Sequence, residues 1–324
     1  MQNVTYYQSI FNNFLSNYQL DEEPQTLYQP IQYILSLGGK RLRPTLTLMT
    51  AEMFGAKAEN ALNAALCVEV FHNFSLIHDD IMDDAPLRRG KPTVHEKWNL
   101  NTGILSGDAM LILSYQLLEY YNGTTFKELN SLFTKTALEV CEGQQYDIDF
   151  ETRNDVIIDE YIRMITYKTS VLVAAAMKMG AIIAQASSQD QHLIYEFGKN
   201  LGIAFQIQDD YLDAFGDPET FGKQVGGDII ENKKTYLYLK TIEHGSQQVK
   251  DELFQLFNGS EIDLQEKVER VKQLFETSGA VKETKTAISN YTAKAFEYLE
   301  DLSLDDVYKF ALKQFGEQLM QRKV

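Results

Sequence analysis

Residues 68–84, VEVFHNFSLIHDDIMDD, decide how this chain folds, because an apolar stretch with helical spacing ends in four aspartates. Asp79 and Asp83 are four residues apart and share one face of the predicted helix, and Asp80 and Asp84 form a second such pair. Like charges at this spacing destabilise a helix by about 0.2–0.5 kcal/mol per pair, so a compensating ligand is expected. Divalent cations such as Mg²⁺ favour carboxylate oxygens and are often shared with phosphate. For a single cluster, the alternative is a solvated acidic helix end.

A second acidic cluster repeats this pattern at residues 209–213, DDYLD, after the apolar residues 201–207. Asp209 and Asp213 again stand four residues apart, and Arg or Lys residues follow each cluster. Two helices that present carboxylates to one another across a cavity would hold several Mg²⁺ ions, and these ions would bind a diphosphate. We therefore expect the two clusters to form one site.

The composition is that of a single large domain covering residues 1–324. Of its 324 residues, 44% are hydrophobic, and six prolines with no Ser/Gly-rich stretch leave no evident linker. The formal net charge of −16 argues against a nucleic acid partner. It also means that an anionic substrate needs metal ions or a local group of cations.

Cysteine usage and apolar stretches indicate a soluble cytoplasmic protein. Cys67 and Cys141 lie in apolar helical stretches and are expected to be buried thiols in a reducing compartment. The first residues, MQNV, lack the features of a signal peptide. The longest apolar stretch, residues 171–184, contains Lys178 and is shorter than the roughly 20 residues that a membrane-spanning helix needs.

Helical periodicity dominates the chain and alternating strand patterns are nearly absent, which predicts an all-α fold with a helical bundle around a central cavity. Glycines and prolines interrupt the helices close to the charged motifs, where ligand-binding loops are common. The predicted helices span residues 5–20, 25–37, 43–54, 57–83, 102–121, 125–151, 154–180, 187–214, 233–243, 247–257, 262–277, 279–302 and 305–321.

Cations in this acidic chain are concentrated near the aspartate clusters. The segment GGKRLRP, residues 38–44, combines two glycines with three cations, although a helix C-cap also explains Gly38 and Lys40. Arg88 and Arg89 follow the first cluster and suit bidentate recognition of phosphate, or else pair locally with Asp83 and Asp84.

Other polar residues accompany the second half of the chain. Lys168 and Thr169 interrupt an apolar helical segment, where a lysine taken alone is more often one that reaches solvent. Lys223 and the pair Lys233-Lys234 flank a glycine-rich loop after the second cluster, and Gln206 shares a helical face with Asp209.

Taken in order, five motifs resemble those of the trans-isoprenyl diphosphate synthases, also called polyprenyl synthetases. They run from residue 38 to residue 234 and read GGKRLRP, DDIMDDAPLRRG, YKT, FQIQDDYLD and GKQVGGDIIENKKT. The resemblance implies a homodimeric, Mg²⁺-dependent enzyme with three ions per active site. Its substrates are isopentenyl diphosphate and an allylic diphosphate, which it joins by ionisation, condensation and elimination of a proton. Residues 171–184 are a plausible dimer interface or, equally, a core helix.

The resemblance also implies a role for individual residues. The metal ligands are Asp79, Asp83 and Asp209, supported by Asp80 and Asp213. The residues that hold the allylic diphosphate are Arg88, Lys168, Lys223 and Lys233. Those of the isopentenyl diphosphate pocket are Lys40, Arg43, His72 and Arg89. Thr169 and Gln206 stabilise the carbocation, and the basic C-terminal tail, residues 321–324, closes over the site.

Product length is expected to depend on bulk on the first aspartate-bearing helix. Phe74 lies five residues before Asp79, or roughly 7.5 Å along a helix axis, and its ring is a plausible floor for the growing chain, with Phe71 one turn further up. The small Ser75 leaves room, so C20 geranylgeranyl diphosphate is the expected product and C15 farnesyl diphosphate the alternative. Both phenylalanines are also compatible with an ordinary core role.

Departures from the family pattern and three rival classes complete the sequence interpretation. Asp84 is an extra aspartate with no assigned role, and two residues separate the aspartate pairs of the first cluster where many bacterial farnesyl-forming relatives have four. His72 stands where some relatives have Gln. A terpene cyclase is disfavoured because the second cluster is a full DDxxD, and a regulatory subunit because both clusters are intact. A di-iron bundle needs two Glu-x-x-His segments, and the sequence has one, at residues 69–72.

Overall fold

The computed structural model describes residues 3–217, 226–259 and 262–321 and confirms the all-α class. Its first nine helices are α1 Val4–Ser16, α2 Gln25–Ser36, α3 Leu42–Met53, α4 Leu62–Met82, α5 Val94–Lys97, α6 Leu100–Leu118, α7 Gly123–Thr152, α8 Ile158–Ile165 and α9 Val171–Ile183. The remaining described helices are α10 Ser188–Phe215, α11 Gly227–Ile230, α12 Tyr236–His244, α13 Gln247–Phe257, α14 Leu264–Thr277, α15 Ala280–Glu300 and α16 Asp306–Met320.

The chain forms two compact units. Unit 1 comprises Met1–Thr134 and Ala175–His192, and unit 2 comprises Lys135–Ala174 and Leu193–Val324. In unit 1, α4 packs along α6 and α3, and most of its residues before the aspartates are buried. In unit 2, α12 packs against α15 within a hydrophobic cluster that also includes Tyr161, Ile207 and Phe275.

Local sequence signals define several helix starts. The side chains of Asn3 and Asn99 accept hydrogen bonds from the backbone N–H groups of Tyr6 and Thr102, at 2.9 Å in both cases. Asp263 caps α14 in the same way. These side chains satisfy N–H groups that have no partner inside the helix, so the polar residue before each apolar pattern sets where the helix begins.

The structure differs from the sequence prediction at several elements, including the short helices α5 and α11, which were not predicted. The predicted helix 154–180 starts later, at Ile158, and contains a π-helical segment, Thr166–Ser170, between α8 and α9. The loop after the first cluster contains a two-stranded antiparallel hairpin, β1 Leu87–Arg88 and β2 Lys91–Pro92, which periodicity did not predict because each strand has only two residues.

Three expectations about burial are tested. Cys67 is buried as predicted, but the prediction for Cys141 was wrong, because it lies on an exposed face of α7. Helix α9 is mostly buried, and its Gly180 lies so close to α3 that a Cβ would approach Thr47 O to 2.4 Å, so the core-helix alternative holds. No helix within the described ranges is both long and apolar enough to span a membrane.

Candidate active site

The first aspartate cluster lies at the C-terminal end of α4 in unit 1. The helix ends at Met82 and Asp83 is its C-cap, with the Asp83 N–H bonded to the Asp79 carbonyl at 2.9 Å. Asp79 is half-buried and Asp83 is exposed. Both carboxylates therefore project from the last turn of the helix, as the i, i+4 spacing predicts, and their oxygens are hard ligands of the kind that Mg²⁺ or Ca²⁺ prefers.

Asp80 differs from its neighbours because only 1% of its surface is exposed. Its Oδ1 accepts hydrogen bonds from Arg88 Nε at 2.7 Å and Arg88 Nη2 at 2.6 Å. Burial raises the pKa of Asp80, and the contacts with Arg88 act in the opposite direction. The local pairing of Arg88 thus involves Asp80, with Asp79 at 4.0 Å, and not Asp83 or Asp84 as the sequence interpretation considered.

The hairpin after α4 separates the two neighbouring arginines. Arg89 and Gly90 form its turn, with φ of 53° and 73°. The Arg89 side chain donates a hydrogen bond to the Gly38 carbonyl and packs on Gly39, where a Cβ would lie 2.8 Å from its Nη2. Gly39 is therefore required by a close approach as well as by its φ of 126°.

Three residues predicted for the isopentenyl diphosphate pocket are close to this contact in the sequence or in space. Arg43 Nη1 lies 3.3 Å from His72 Nε2, and Lys40 is exposed. Burial and then the positive charge of Arg43 hold the pKa of His72 well below its usual value, so the ring is neutral. Because a guanidinium only donates, His72 Nε2 accepts, and Nδ1 carries the ring proton.

A buried ion pair underneath this segment is a feature that sequence reasoning missed. Arg41 is buried with φ of 47°, and its guanidinium pairs with Glu69 and donates to the Leu35 carbonyl at 2.5 Å. Glu69 Oε1 also accepts a hydrogen bond from Asn73 at 3.0 Å. The signal was Glu69 itself, a charged residue inside an apolar run.

The extra aspartate, Asp84, turns away from the end of α4. It has a left-handed φ of 49°, and one of its oxygens lies within 4.8 Å of ligand atoms of both His95 and Glu96. Within the described residues this is the one grouping of three such side chains that is compact enough for a metal ion as it stands. Exposed acidic groups are common without an ion, and the grouping here serves only to locate Asp84.

The second aspartate cluster lies on α10 in unit 2 and lines a cavity of about 210 Å³. The other polar residues that line this cavity are Asp147, Glu151, Tyr161, Lys168, Thr169, Gln206, Asp228, Lys233, Lys234 and Thr235. The structure therefore brings together Lys168, Thr169, Gln206, Asp209 and Lys233, all of which the sequence indicated. Asp147 and Asp228 were not identified from the sequence.

Lys168 and Lys233 each lie near one of those two missed aspartates, whereas Lys234 donates to the carbonyls of Phe150 and Glu151. Lys168 Nζ lies 2.5 Å from Asp147 Oδ2, and Lys233 Nζ lies 3.7 Å from Asp228 and 2.7 Å from Glu231. Burial and the charge of Asp213 raise the pKa of Asp228 to about 7. Lys168 therefore points into the cavity instead of reaching solvent alone.

Asp213 also has a structural role. Its Oδ2 accepts a hydrogen bond from the Asp228 N–H at 3.0 Å, and its carbonyl accepts one from the Gly226 N–H at 2.7 Å. These bonds fix the start of the short helix α11, which precedes Lys233. The carboxylate of Asp213 is thus shared between helix capping and the predicted support of a metal.

The π-helical segment places Lys168 and Thr169 in the cavity. A Cβ on Gly143 of α7 would lie 2.2 Å from Lys168 N, and one on Gly202 of α10 would lie 3.0 Å from Ser170 Cα. Two helices therefore approach the segment through glycines. π-Helical turns are rare and occur often at functional sites.

Two of the sequence-based assignments lie outside the described residues. Lys223 and the last three residues of the basic tail, 322–324, belong to the parts of the chain for which no structure is given. Their assignment to the allylic diphosphate and to closure of the site stays a prediction.

Residues 24–278 match the family model described as polyprenyl synthetase, which covers most of the chain. The chain belongs to the polyprenyl synthetase family. As a member it is a transferase of prenyl groups, an isoprenyl diphosphate synthase. The all-α fold, the two aspartate clusters and their cations agree with this class.

Individual relatives place the chain among short-chain enzymes. It is 57% identical to a geranylgeranyl pyrophosphate synthase of known crystal structure, with a TM-score of 0.95 and all of both chains covered. It is 37% identical over 302 residues to the geranylgeranyl diphosphate synthase of Methanosarcina mazei, which covers 93% of this chain and 91% of that one.

A further relative bears on the metal. The chain is 26% identical to a polyprenyl synthase from Caulobacter crescentus, with a TM-score of 0.87 and coverage of 99% and 96% of the two chains. The crystal structure of that protein is a complex with calcium and isoprenyl diphosphate. Use of a divalent metal by the family fits the carboxylate donor sets of both clusters.

Proposed function

We propose that this enzyme condenses isopentenyl diphosphate with allylic diphosphates and releases C20 geranylgeranyl diphosphate. The observation that carries the proposal is the cavity of unit 2, which is lined by three lysines, by the Asp209 carboxylate and by the uncharged pair Thr169 and Gln206. Cations and metal-binding groups suit the diphosphate, and uncharged oxygens suit the prenyl group as it becomes positively charged. The names of the most similar relatives support the same reaction.

Both clusters are proposed to bind metal, and the chain is proposed to be a single domain. The proposed metal ligands are Asp79, Asp83 and Asp209, which together hold three Mg²⁺ ions. Asp80 and Asp213 support these ligands without being the main ligands themselves. Bound Mg²⁺ neutralises diphosphate charge and so favours its departure. The donor set of aspartate oxygens on adjacent turns of α4 and α10 fits this ion.

The protein's own residues account for the remaining steps. Arg88, Lys168, Lys223 and Lys233 bind the allylic diphosphate, and Lys40, Arg43, His72 and Arg89 bind isopentenyl diphosphate. The neutral His72 accepts from Arg43 and orients that guanidinium. Thr169 and Gln206 face the allylic group, so the cation is stabilised as it forms. The released diphosphate then takes the proton.

Product length is proposed to depend on Phe74, with Phe71 and Ser75 as contributors. Phe74 packs against Phe71 at a ring distance of 5.4 Å and against His78 at 4.9 Å, so its ring is fixed from both sides. A fixed ring is a firm floor for a hydrocarbon chain, whereas the neighbouring Ser75 adds little bulk. C15 farnesyl diphosphate is the alternative product.

The enzyme is proposed to be a homodimer that associates through α6. Leu105 and Ile112 are two turns apart on this helix and are 58% and 66% exposed. Large apolar residues aligned on one exposed face are typical of an interface. Light scattering of the wild type and of Ile112→Glu tests this, because the variant should shift towards monomer. The cytoplasmic location expected from the sequence stays a prediction.

A single assay tests the proposed reaction. The purified protein is supplied with Mg²⁺, isopentenyl diphosphate and each allylic diphosphate from C5 to C15, and the products are sized by chromatography. The expected result is C20 from every primer. A C15 endpoint would favour the alternative product, and cyclic hydrocarbons or no condensation at all would indicate a cyclase or a regulatory subunit.

A further inference from the structure

Three hydrogen bonds join four side chains of the unit 2 cavity into one chain. Tyr161 Oη donates to Asp210 Oδ2 at 2.6 Å, Gln206 Nε2 donates to Asp210 Oδ1 at 3.0 Å, and Thr169 Oγ1 donates to Gln206 Oε1 at 3.2 Å. Tyr161 and Asp210 are 1% and 8% exposed. The middle aspartate of the second cluster therefore has both oxygens occupied by protein donors.

This chain of bonds has a direction. The two ends of a glutamine amide differ, because the oxygen accepts hydrogen bonds and the NH₂ group donates them, and the ends exchange on a half-turn of the side chain. Burial raises the pKa of Tyr161 well above its usual value, so the phenol keeps its proton and donates. The structure places Gln206 Nε2 against Asp210 Oδ1 and Gln206 Oε1 on the opposite side, towards Thr169.

The direction matters for a reaction that develops positive charge. An amide oxygen carries partial negative charge and stabilises a nearby carbocation, whereas an amide NH₂ in the same place opposes it. Dipoles that are already oriented cost no reorganisation as the charge develops. A glutamine without a fixed partner would present either end to the substrate.

We propose that Asp210 and Tyr161 are positioning residues that hold the Gln206 amide with its oxygen towards the allylic group. The inference rests on the proposed function, because it assigns to these residues a part in the ionisation step. It also divides the roles within the second cluster. Asp209 and Asp213 serve the metal, whereas Asp210 belongs to the orienting network that reaches Thr169.

The test is a double-mutant cycle with a matched control. Tyr161→Phe removes one phenol hydroxyl and keeps the ring. Tyr238→Phe does the same to another buried tyrosine of the same hydrophobic cluster, outside the network. Gln206→Leu removes the amide that Tyr161 and Asp210 are proposed to orient, so it provides the second background of the cycle. For each protein, kcat and the KM of both substrates are measured at saturating Mg²⁺.

We expect Tyr161→Phe to lower kcat by about tenfold with both KM values within about twofold, since orientation affects the transition state more than binding. Tyr238→Phe should behave like the wild type. In the Gln206→Leu background, Tyr161→Phe should cause no further loss. Equal losses in both backgrounds, or a loss confined to KM, would overturn the positioning role while wild-type turnover still supports the proposed function. An inactive wild type would overturn both.

Nuclear magnetic resonance provides a readout that does not depend on turnover. The side-chain NH₂ signal of Gln206 in ¹⁵N-labelled protein is assigned by its loss in Gln206→Leu. Tyr161→Phe should shift or broaden this signal, because it removes a hydrogen bond to Asp210, the carboxyl group that accepts from the Gln206 NH₂ group. Tyr238→Phe does not affect Asp210 and should leave the signal in place. A Gln206 signal that is the same in both variants and the wild type would contradict the network.

Discussion

Arg88 donates two hydrogen bonds to a single oxygen of Asp80, from Nη2 at 2.6 Å and from Nε at 2.7 Å. Asp80 is almost wholly buried. The second aspartate of the other cluster, Asp210, is likewise buried and bonded to protein groups. In both clusters, therefore, the second aspartate is buried and anchors neighbouring side chains.

The pairing of Arg88 with Asp80 predicts a large effect of removing one partner. Arg88→Leu leaves a buried carboxylate without its cation and should lower the free energy of unfolding by about 3 kcal/mol. Adding Asp80→Asn removes the unpaired charge and should recover at least half of that loss. Urea denaturation of the wild type, of each single variant and of the double variant measures these free energies. If the losses of the two single variants simply add in the double variant, the buried-pair explanation is contradicted.

The last two aspartates of the first cluster should differ in importance. Asp83→Asn removes a predicted metal ligand and should lower kcat by about a hundredfold or more, and excess Mg²⁺ should restore part of it. Asp84→Asn is the matched control, because Asp84 turns towards His95 and an asparagine accepts its left-handed φ. The activity of Asp84→Asn should stay within about threefold of the wild type, because substitutions at exposed positions usually have small energetic effects. Equal losses in the two variants would show that Asp84 is also a ligand.

Product length should respond to changes at two adjacent positions in opposite directions. Phe74→Ala removes the ring that packs between Phe71 and His78 and should lengthen the product by at least one isoprene unit. Ser75→Phe adds bulk and should shorten it, and Ser75→Ala should leave it unchanged. Chromatography of the dephosphorylated products checks all three, and an unchanged distribution for Phe74→Ala would reject the floor role.

His72 should make stability depend on pH. Its pKa is lowered in the folded protein, whereas in the unfolded chain it has the ordinary value of 6.5. Below that value the unfolded chain binds the extra proton, so the free energy of unfolding should fall by up to about 1.4 kcal/mol per pH unit as pH decreases. His72→Gln should remove this part of the slope between pH 6.5 and 5, as measured by urea denaturation at several pH values. A wild-type curve parallel to that of the variant would mean that His72 is not neutral.

Gly143 should matter because of the π-helical segment that it touches. Gly143→Ala brings a Cβ against the Lys168 backbone and should destabilise the protein by about 1–3 kcal/mol, the usual range for overpacking. It should also lower kcat, since Lys168 and Thr169 are displaced with the segment. Gln145→Ala, exposed two residues later on the same helix, should change neither the melting temperature nor kcat.

Periodicity predicted the long helices well because each has one buried face, and the second acidic cluster with its neighbouring cations indicated many of the residues that line the cavity of unit 2. The sequence did not reveal the π-helical turn at Thr166–Ser170, since its hydrogen-bond pattern depends on packing against Gly143 and Gly202. A glycine in the middle of a predicted helix was the available signal, because it costs about 1 kcal/mol relative to alanine.

The missed aspartates share a reason of a different kind. Asp147 and Asp228 reach Lys168 and Lys233 across 21 and five residues of sequence, through side-chain contacts that no local pattern encodes. In the same way, the partner of Arg41 is 28 residues away, at Glu69. Charged residues were visible from the sequence, but which charge meets which was decided by the fold.

The hairpin of β1 and β2 links Arg88 and Arg89, which are proposed to bind different substrates, so that neither side chain moves without the other. Arg88 extends to Asp80 at the end of α4, and Arg89 to the Gly38 carbonyl, from consecutive positions of a six-residue loop. Arg88 ends β1 and Arg89 begins the turn, so inserting or deleting one residue in the loop displaces at least one of the two guanidiniums from its contact. This loop should therefore tolerate substitutions far better than any change in its length. A change in length should weaken the binding of both substrates at once.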